Sequence, residues 1–165
     1  MKHATIKSMM LLVLAAVLFA SCASTQGSGL SKAEMKRQKA EEVRQAIYDR
    51  QFTINVTSAH PTSFPSVNLT SPYSLEVHGD SVISYLPYYG RAYSLPYGGG
   101  KALNFSGKMS GYDISRSKRE YNVTMSIEND EDRYVYYIDV FDNGRSSILV
   151  RSQNRTDILF YGDME

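Results

Sequence analysis

From residue 52 onward the chain alternates apolar and polar residues with a period of two, and this alternation restricts its fold more than any other feature. Successive side chains of a strand point to opposite faces of a sheet, so each such segment can bury one face and expose the other. The alternating segments recur at intervals of about 8 to 12 residues, which is typical of an antiparallel meander and not of a parallel α/β sheet.

Strands and turns can be placed from this pattern. A hairpin turn is predicted at residues 78–81, and a type I′ turn with positive φ at both central positions is predicted at Asp142-Asn143-Gly144. Prolines 61 and 65 predict a loop or irregular edge over residues 60–65, because proline donates no ladder hydrogen bond. Segment 133–141 carries apolar residues on both faces, which favours a central strand. The predicted strands are residues 52–56, 73–77, 82–86, 102–106, 112–115, 121–127, 133–141, 146–151 and 158–161.

One helix is predicted ahead of the strands. Ser31 and Glu34 match a capping box, in which the hydroxyl and the carboxylate each accept a hydrogen bond from a free amide of the first turn. A narrow apolar stripe follows, formed by Ala40, Val43, Ala46 and Ile47. We therefore predict a mainly β (α+β) fold: an antiparallel meander that forms a small barrel or strongly curved sheet, with one N-terminal helix packed on it.

The first half of this helix is basic and has little apolar surface to bury. Its cations are Lys32, Lys36, Arg37 and Lys39. Two interpretations stay open for them. They form a solvated face, which is the commoner case, or they lie against anionic lipid headgroups.

The N-terminus has the features of an export signal. Lys2, His3 and Lys7 precede an apolar run over residues 9–20, which is 12 residues long and too short to span a bilayer as a helix. The only cysteine, Cys22, follows directly after small residues. The predicted organisation is a signal peptide over residues 1–21, a small and polar flexible tether over 22–30, and one domain over 31–165, with the helix at 31–49 and the β region at 51–162.

The segment Leu18-Phe19-Ala20-Ser21-Cys22 resembles the bacterial lipobox, apart from Phe19, where a smaller aliphatic residue is commoner. The resemblance implies that the thiol of Cys22 is diacylglycerated and that the chain is cleaved just before it. Two or more acyl chains hold a soluble domain firmly to a bilayer, so the membrane is the first expected partner. The alternative is an ordinary signal peptide, cleaved nearby, that leaves a free thiol.

Charge and cysteine content exclude two classes of protein. The chain has 18 Lys and Arg against 17 Asp and Glu, and without Lys2 and Lys7 of the leader the balance is −1. This excludes a basic nucleic-acid binder on bulk charge, so no nucleic-acid partner is expected. A single cysteine excludes a disulfide framework within the chain, so stability has to come from an apolar core.

Residues 85–100 have the most unusual composition in the chain. They contain five of the 13 tyrosines together with two prolines, Arg91 and four glycines. Tyrosine offers a flat apolar face with a polar tip, and arginine offers a planar fork of donors, so this segment is the candidate binding site for a ligand or partner. Its candidate residues are Tyr85, Tyr88, Tyr89, Arg91, Tyr93 and Tyr97. The alternative is that the same rings close the open end of a barrel as structural packing.

Other patterns in the chain do not predict a phosphate-binding, metal-binding or catalytic site. Residues 98–101 (Gly-Gly-Gly-Lys) lack the spacing of a phosphate-binding loop and are followed by Ala102. Residues 128–132 hold four carboxylates, without EF-hand spacing, and are interpreted as a solvated hairpin tip. His60 and His78 have no neighbouring ligands that would complete a zinc set, and no nucleophile motif occurs. We therefore predict no catalytic residues, no metal and no cofactor.

The segment Leu86-Pro87-Tyr88-Tyr89-Gly90-Arg91-Ala92-Tyr93 resembles an uncharacterised family of secreted lipoproteins from Gram-negative gut anaerobes, domain-of-unknown-function family 4251. The resemblance extends over about residues 46–162 and includes the turns at 79–80 and 143–144, residues 152–155 and residues 160–162. It implies an envelope compartment and transfers no activity. Surface-exported lipoproteins of such bacteria carry acidic residues just after the cysteine, and residues 23–29 have none. The expected location is therefore the outer membrane, facing the periplasm.

Three functions follow as hypotheses. The first is a lipid-anchored, non-catalytic envelope module that binds an envelope protein or glycan through the tyrosine segment, with Arg91 as polar anchor. The second is a lipocalin-like carrier, whose interior cavity of a few hundred Å³ would be lined by Tyr121, Tyr136 and Phe160. The third, a hydrolase, would need a cleft with convergent carboxylates.

Overall fold

Eight antiparallel strands follow one helix and close into a barrel in the computed structural model, which describes residues 31–94 and 100–165. Every strand pairs with its neighbours in sequence, and the last strand also pairs with the first. Of the two predicted forms, barrel or curved sheet, the chain therefore adopts the closed barrel. The elements are α1 (Lys32–Asp49), β1 (Gln51–Pro61), β2 (Val67–His78), β3 (Ser81–Tyr85), β4 (Asn104–Ser117), β5 (Glu120–Glu128), β6 (Arg133–Phe141), β7 (Arg145–Ser152) and β8 (Ile158–Met164).

Two of the predicted boundaries are wrong. The predicted strands 102–106 and 112–115 are one continuous strand, β4, whose register shifts between Met109 and Gly111. At a bulge the strand carries one extra residue and stays paired on both sides of it. In the sequence, such a residue interrupts the apolar–polar alternation and is mistaken for the end of a strand. Residues 60 and 61 belong to β1 and not to a loop. Pro61 is the last residue of this strand, a position where the missing N–H of proline interrupts no further pairing. Segment 133–141, predicted to be central, is β6, and in a closed barrel every strand has two neighbours.

The two predicted hairpins are present, with one difference in geometry. Gly79, between β2 and β3, has φ of 61°. Gly144, between β6 and β7, has φ of 87° and donates its N–H to the carbonyl of Phe141 at 2.8 Å. A type I′ turn needs a second positive φ, but Asp142 and Asn143 have none. The loop has three residues, and in loops of that length only the last one adopts the left-handed conformation.

Large side chains of the strands fill the barrel interior. Tyr121, Tyr136 and Phe160 are completely buried. The Tyr136 hydroxyl donates to Ser84 Oγ at 3.0 Å, and Ser84 in turn donates to the carbonyl of Leu103 at 2.7 Å, so both buried hydroxyls are satisfied. Two cavities of the described residues, one beside Tyr89 and one beside Lys39, open at the surface. The interior space that a carrier would need is occupied by the protein's own side chains.

Helix α1 packs its C-terminal half across one end of the barrel. Val43 and Ile47 are buried, and the Tyr112 hydroxyl of β4 donates to the carbonyl of Ile47 at 2.8 Å. The Lys39 Nζ donates to the carbonyl of Met164, the last residue of β8, at 3.4 Å. The helix begins directly after Ser31, as the capping box predicts. Within residues 31–94 and 100–165, no helix is both long and apolar enough to cross a membrane.

The barrel therefore has two different ends. The helix end carries α1 and the short connections 79–80, 118–119 and 142–144. The loop end carries the connections 62–66, 86–103, 129–132 and 153–157. Because the strands alternate in direction, the predicted tyrosine segment lies at the end opposite the helix.

Candidate functional site

The candidate site is formed by the first part of the 86–103 connection and by the loops beside it at the loop end. Tyr85, Tyr88, Tyr89, Arg91 and Tyr93 lie within or just before this connection. Two predicted residues, Tyr97 and the lipidation site Cys22, lie outside the described residues, as do the leader and the tether.

Tyr88 fixes this connection to the 153–157 loop. Its hydroxyl lies 2.9 Å from the carbonyl oxygens of both Arg91 and Thr156, and 3.0 Å from Thr156 Oγ1. The guanidinium of Arg155 lies over its ring, 5.6 Å from the centroid. Burial raises the pKa of Tyr88 above its usual range, against the opposing effect of the Thr156 hydrogen bonds, so the hydroxyl stays protonated and can donate. These contacts match the structural interpretation of the tyrosine; direct contact with a ligand stays a prediction.

The backbone that follows Tyr88 lies antiparallel to the 153–157 loop. The Thr156 N–H donates to the carbonyl of Arg91 at 2.9 Å, and the Arg91 N–H donates to Thr156 Oγ1 at 3.0 Å. Farther along, the Tyr93 N–H donates to the carbonyl of Asn154 at 2.8 Å. Arg91 and Tyr93 are therefore held at their backbone, while their side chains point away from the core and are exposed.

A buried charge cluster lies beneath this segment. Arg155, only 5% exposed, pairs with Glu131 at 3.3 Å and lies 3.7 Å from the carboxylate of Asp132, also buried. The carboxylate of Asp132 accepts backbone N–H groups of Gln153 at 3.0 Å and Asn154 at 3.2 Å. Burial strengthens these hydrogen bonds and makes an unpaired charge costly. The cluster thus fixes the 129–132 and 153–157 loops to each other.

Glu131 extends this cluster to the end of the 86–103 connection. Its carboxylate accepts the N–H of Lys101 at 2.9 Å. A Cβ added at Gly100 would lie 2.5 Å from Glu131 Oε2, so the backbone approaches the cluster too closely for a side chain there. The first described part of the connection is therefore bonded to the 153–157 loop and the last part to the 129–132 loop, and the charge cluster joins these two loops.

The charge cluster corrects one sequence prediction. Residues 128–132 were expected to be a solvated hairpin tip, but Asp132 is buried and Glu131 is half-buried. The sequence shows only a run of carboxylates, and the partner Arg155 lies more than twenty residues away. Among residues 31–94 and 100–165, no group of three or more side chains is arranged to hold a metal ion.

Exposed aromatic rings lie on top of this frame. Tyr93 is 74% exposed, and Tyr85 and Tyr89 are exposed to smaller degrees. Tyr85 points outward from β3, and its ring centroid lies 5.3 Å from that of Tyr73. Tyr89 and Phe64 contribute to a shallow, open groove of about 540 Å³. The groove is lined by Phe64, Pro65, Ser66, Val67, Tyr89 and Gly90.

Sequence reasoning missed the contribution of the 62–66 connection to this surface. Phe64 is an exposed aromatic residue in a turn, and the pairing of β1, β2 and β3 places it and Tyr89 at the same end of the barrel, where both line one groove. His60 orders this turn, because its Nδ1 lies 2.9 Å from Ser66 Oγ and its Nε2 lies 3.1 Å from Ser58 Oγ. Both ring nitrogens are thus engaged by hydroxyls, and no carboxylate of the described residues completes a catalytic triad with them.

The arrangement suits binding by contact. Arg91 forms no ion pair with any described residue, so its guanidinium is available for a hydrogen-bond acceptor. Tyrosine, phenylalanine and arginine are the residue types enriched where proteins bind each other. The site combines these side chains with a backbone that is held by hydrogen bonds to the 153–157 loop.

Comparison with known proteins places the chain by fold and family. No curated protein matches it. It is similar to the crystal structure of a DUF4251 family protein from Bacteroides eggerthii DSM 20697, determined at 1.95 Å, with a TM-score of 0.58 and 14% identity over 77% of this chain and 87% of that one. At this identity the likeness concerns the fold. The family model described as "Domain of unknown function (DUF4251)" matches residues 34–164, and the chain therefore belongs to the DUF4251 family.

Proposed function

We propose that the protein is a lipid-anchored, non-catalytic module of the bacterial cell envelope that binds a partner protein through its loop end. The observation that carries this proposal is the exposure of Tyr89, Tyr93 and Phe64 near Arg91, which forms no ion pair with a described residue, on a backbone held by Tyr88 and Thr156. A protein partner is favoured over a glycan because this set of side chains is typical of the centres of protein interfaces.

The fixed backbone supports a binding role. A loop that has to become ordered on binding loses conformational entropy, and this loss lowers its affinity. Here the hydrogen bonds of Tyr88, Arg91 and Tyr93 to the 153–157 loop hold residues 88–93 in place in the free protein. The exposed rings can then contact a partner without that loss.

The filled interior gives the carrier hypothesis no support. Tyr121, Tyr136 and Phe160, the residues expected to line a ligand cavity, are completely buried among other side chains. A hydrophobic ligand would have to displace them, and the core would lose close-packed contacts. Binding at the exposed end requires no such rearrangement.

The lipid anchor rests on Cys22 and the residues before it. The two acyl chains of a diacylglyceryl group on this sulfur would attach the domain to the outer membrane through the tether, facing the periplasm. Labelling cells with radioactive palmitate tests this part. We expect label in the wild-type protein and none in Cys22→Ala, and a mature N-terminal peptide with unmodified Cys22 would overturn it.

Site-specific photocrosslinking in intact cells tests the binding surface. We would replace Tyr93 with p-benzoylphenylalanine and, as a matched control, replace Tyr137, an exposed tyrosine on the outer wall of β6. A discrete protein adduct is expected from position 93 and not from 137. Equal adducts from both positions, or none from 93, would contradict the proposal.

A second variant separates binding from folding. Arg91→Ala removes an exposed side chain and should lower the yield of the position-93 adduct severalfold while leaving the thermal midpoint nearly unchanged. If the midpoint falls strongly instead, Arg91 is structural. An adduct that periodate degrades would identify a glycan and would reject the protein partner.

A further inference from the structure

The N-terminal half of α1 extends beyond the core as a basic, fully exposed surface. Residues 31–38 are all exposed, whereas Val43 and Ile47 farther along the helix are buried. None of the ion pairs among the described residues involves Lys32, Lys36 or Arg37. We call Lys32, Lys36 and Arg37 the basic turns. Their charges are not neutralised by the barrel.

Three lysines of α1 lie on one stripe of the helix, and Arg37 lies off this stripe. Lys32, Lys36 and Lys39 follow each other at steps of four and three, and the same steps lead on to Val43 and Ile47. They therefore lie on one stripe of the helix. Glu34 and Glu41 lie on the opposite side, and Glu41 is paired with Arg44. The stripe that buries apolar residues against the barrel continues as a row of lysines where the barrel ends.

The distance to the proposed anchor limits what this surface can meet. Nine residues, 23–31, separate Cys22 from Lys32. A chain of that length spans at most about 30 Å, at full extension. A lipid on Cys22 would keep the basic turns close to the headgroups, where the surface potential of anionic lipid extends over about 8 Å at physiological salt.

We propose that the basic turns dock onto anionic phospholipid headgroups and thereby orient the anchored domain. The occupant is a negatively charged bilayer surface, because the turns are cationic and an acylated Cys22 would place them beside it. Each lysine or arginine near such a surface favours contact by about fivefold. The barrel end that faces the bilayer is then the helix end, and the loop end faces away, towards its partner. This inference rests on the lipid anchor of the proposed function.

Accessibility measurements on the acylated protein test this orientation. The protein, purified from membranes, would carry a nitroxide at Met35→Cys in the basic half of α1 or, as a control, at Tyr93→Cys at the loop end; both positions are exposed. Each would be placed in vesicles of phosphatidylcholine alone or with 30 mol% phosphatidylglycerol, a composition of about one anionic lipid in three. We expect the anionic vesicles to lower severalfold the access of a water-soluble relaxation agent to position 35 and not to position 93.

Charge variants provide matched controls. The triple variant Lys32→Gln, Lys36→Gln and Arg37→Gln should abolish the protection, and so should high salt. Replacing three exposed cations of the loop end, Lys101, Arg133 and Arg151, by Gln changes net charge equally and should leave the protection intact. Equal access at position 35 in both vesicle types would overturn the inference, as would protection that survives the first triple variant.

The outcome also distinguishes this inference from the proposed anchor. Flotation of the acylated protein with uncharged vesicles depends on its acyl chains alone. If the protein floats and position 35 stays accessible, the anchor stands and the orientation is wrong. If the protein does not float with uncharged vesicles, the anchor itself is wrong.

Discussion

The two ends of the barrel differ in the interactions that hold them. At the helix end, α1 covers the opening with Val43 and Ile47 and with the ring of Tyr48, which lies edge-on to Tyr121 at 6.2 Å. At the loop end, Tyr88 and Lys101 bond to the 153–157 and 129–132 loops, and Arg155 pairs with Glu131 between these loops. Apolar residues are buried at both ends, as Leu86 and Leu103 show at the loop end, but the loop end also has a buried charge cluster.

This difference matters for what each end can do. Apolar burial is not directional, so it closes an opening without fixing each backbone atom. Hydrogen bonds and buried ion pairs need particular geometries, so they hold a loop in one conformation. The loop end uses the directional interactions, and it is also the end that presents exposed Tyr89 and Tyr93. We expect such hydrogen bonds and ion pairs to preorganise a surface for the binding that we propose.

Arg155→Met should have the largest effect on stability. It leaves the carboxylates of Asp132 and Glu131 without their buried cation, and breaking such a pair costs about 4 kcal/mol of unfolding free energy. Urea denaturation measures the loss. Arg151→Met removes an exposed ion pair with Asp157 and should cost under about 1 kcal/mol. Equal losses would mean that the loop end does not depend on its buried charge.

Ile47→Ala tests the helix end. Ile47 is completely buried between α1 and the barrel, and its truncation should cost about 3 kcal/mol through lost burial and a residual cavity. Ile83→Ala is the matched control, because Ile83 is exposed on β3, and we expect a much smaller loss. The position-93 photocrosslink should persist in Ile47→Ala. If it disappears, the two ends are coupled and the comparison between them fails.

Gly90→Ala tests how tightly the tyrosine segment is packed. A Cβ at position 90 would lie 2.5 Å from Thr156 Oγ1 and would also overlap the Tyr88 hydroxyl. Overpacking of this kind costs about 2 kcal/mol. At Gly111, in β4, a Cβ would meet nothing within 4 Å, so Gly111→Ala should change the urea midpoint little. A midpoint that is unchanged in both variants would show that the segment yields easily and is not a fixed frame.

The fold could be predicted where its signals are local. Alternation marks most strands, glycines mark the turns at 79 and 144, and a capping box marks the helix start. Each of these depends on a few neighbouring residues. The bulge in β4 could not be predicted, because it depends on the register of pairing with β5. His60 was assigned to a loop because the proline after it outweighed its pairing with Leu159 of β8.

The candidate site was predictable only in part, for a related reason. An unusual composition drew attention to Tyr89, Arg91 and Tyr93, and the structure shows them exposed. Their supports come from elsewhere in the chain: Thr156 is about 65 residues from Arg91, and Phe64 about 25 from Tyr89. The strand pairing of the whole barrel brings these residues together. A single sequence carries no signal for such distant pairs, so the charge cluster was missed altogether.

Tyr88→Phe and Tyr112→Phe make the smallest predicted changes and compare the two ends directly. Tyr88 bonds to the carbonyls of Arg91 and Thr156 at the loop end, and Tyr112 bonds to the carbonyl of Ile47 at the helix end. Removing either hydroxyl should cost about 1 kcal/mol of unfolding free energy at neutral pH.

Burial raises the pKa of both tyrosines above the usual value of 10.0. Above about pH 10 the unfolded chain therefore releases protons that the folded chain keeps, so stability falls as pH rises. Between neutral pH and about pH 11, the unfolding free energy of each phenylalanine variant should therefore fall by less than that of the wild type. The difference from the wild type should be larger for Tyr112→Phe, because the Tyr112 hydroxyl is the more buried of the two. An identical alkaline decline in both variants and the wild type, measured by urea denaturation, would show that neither hydroxyl is held protonated by its end of the barrel.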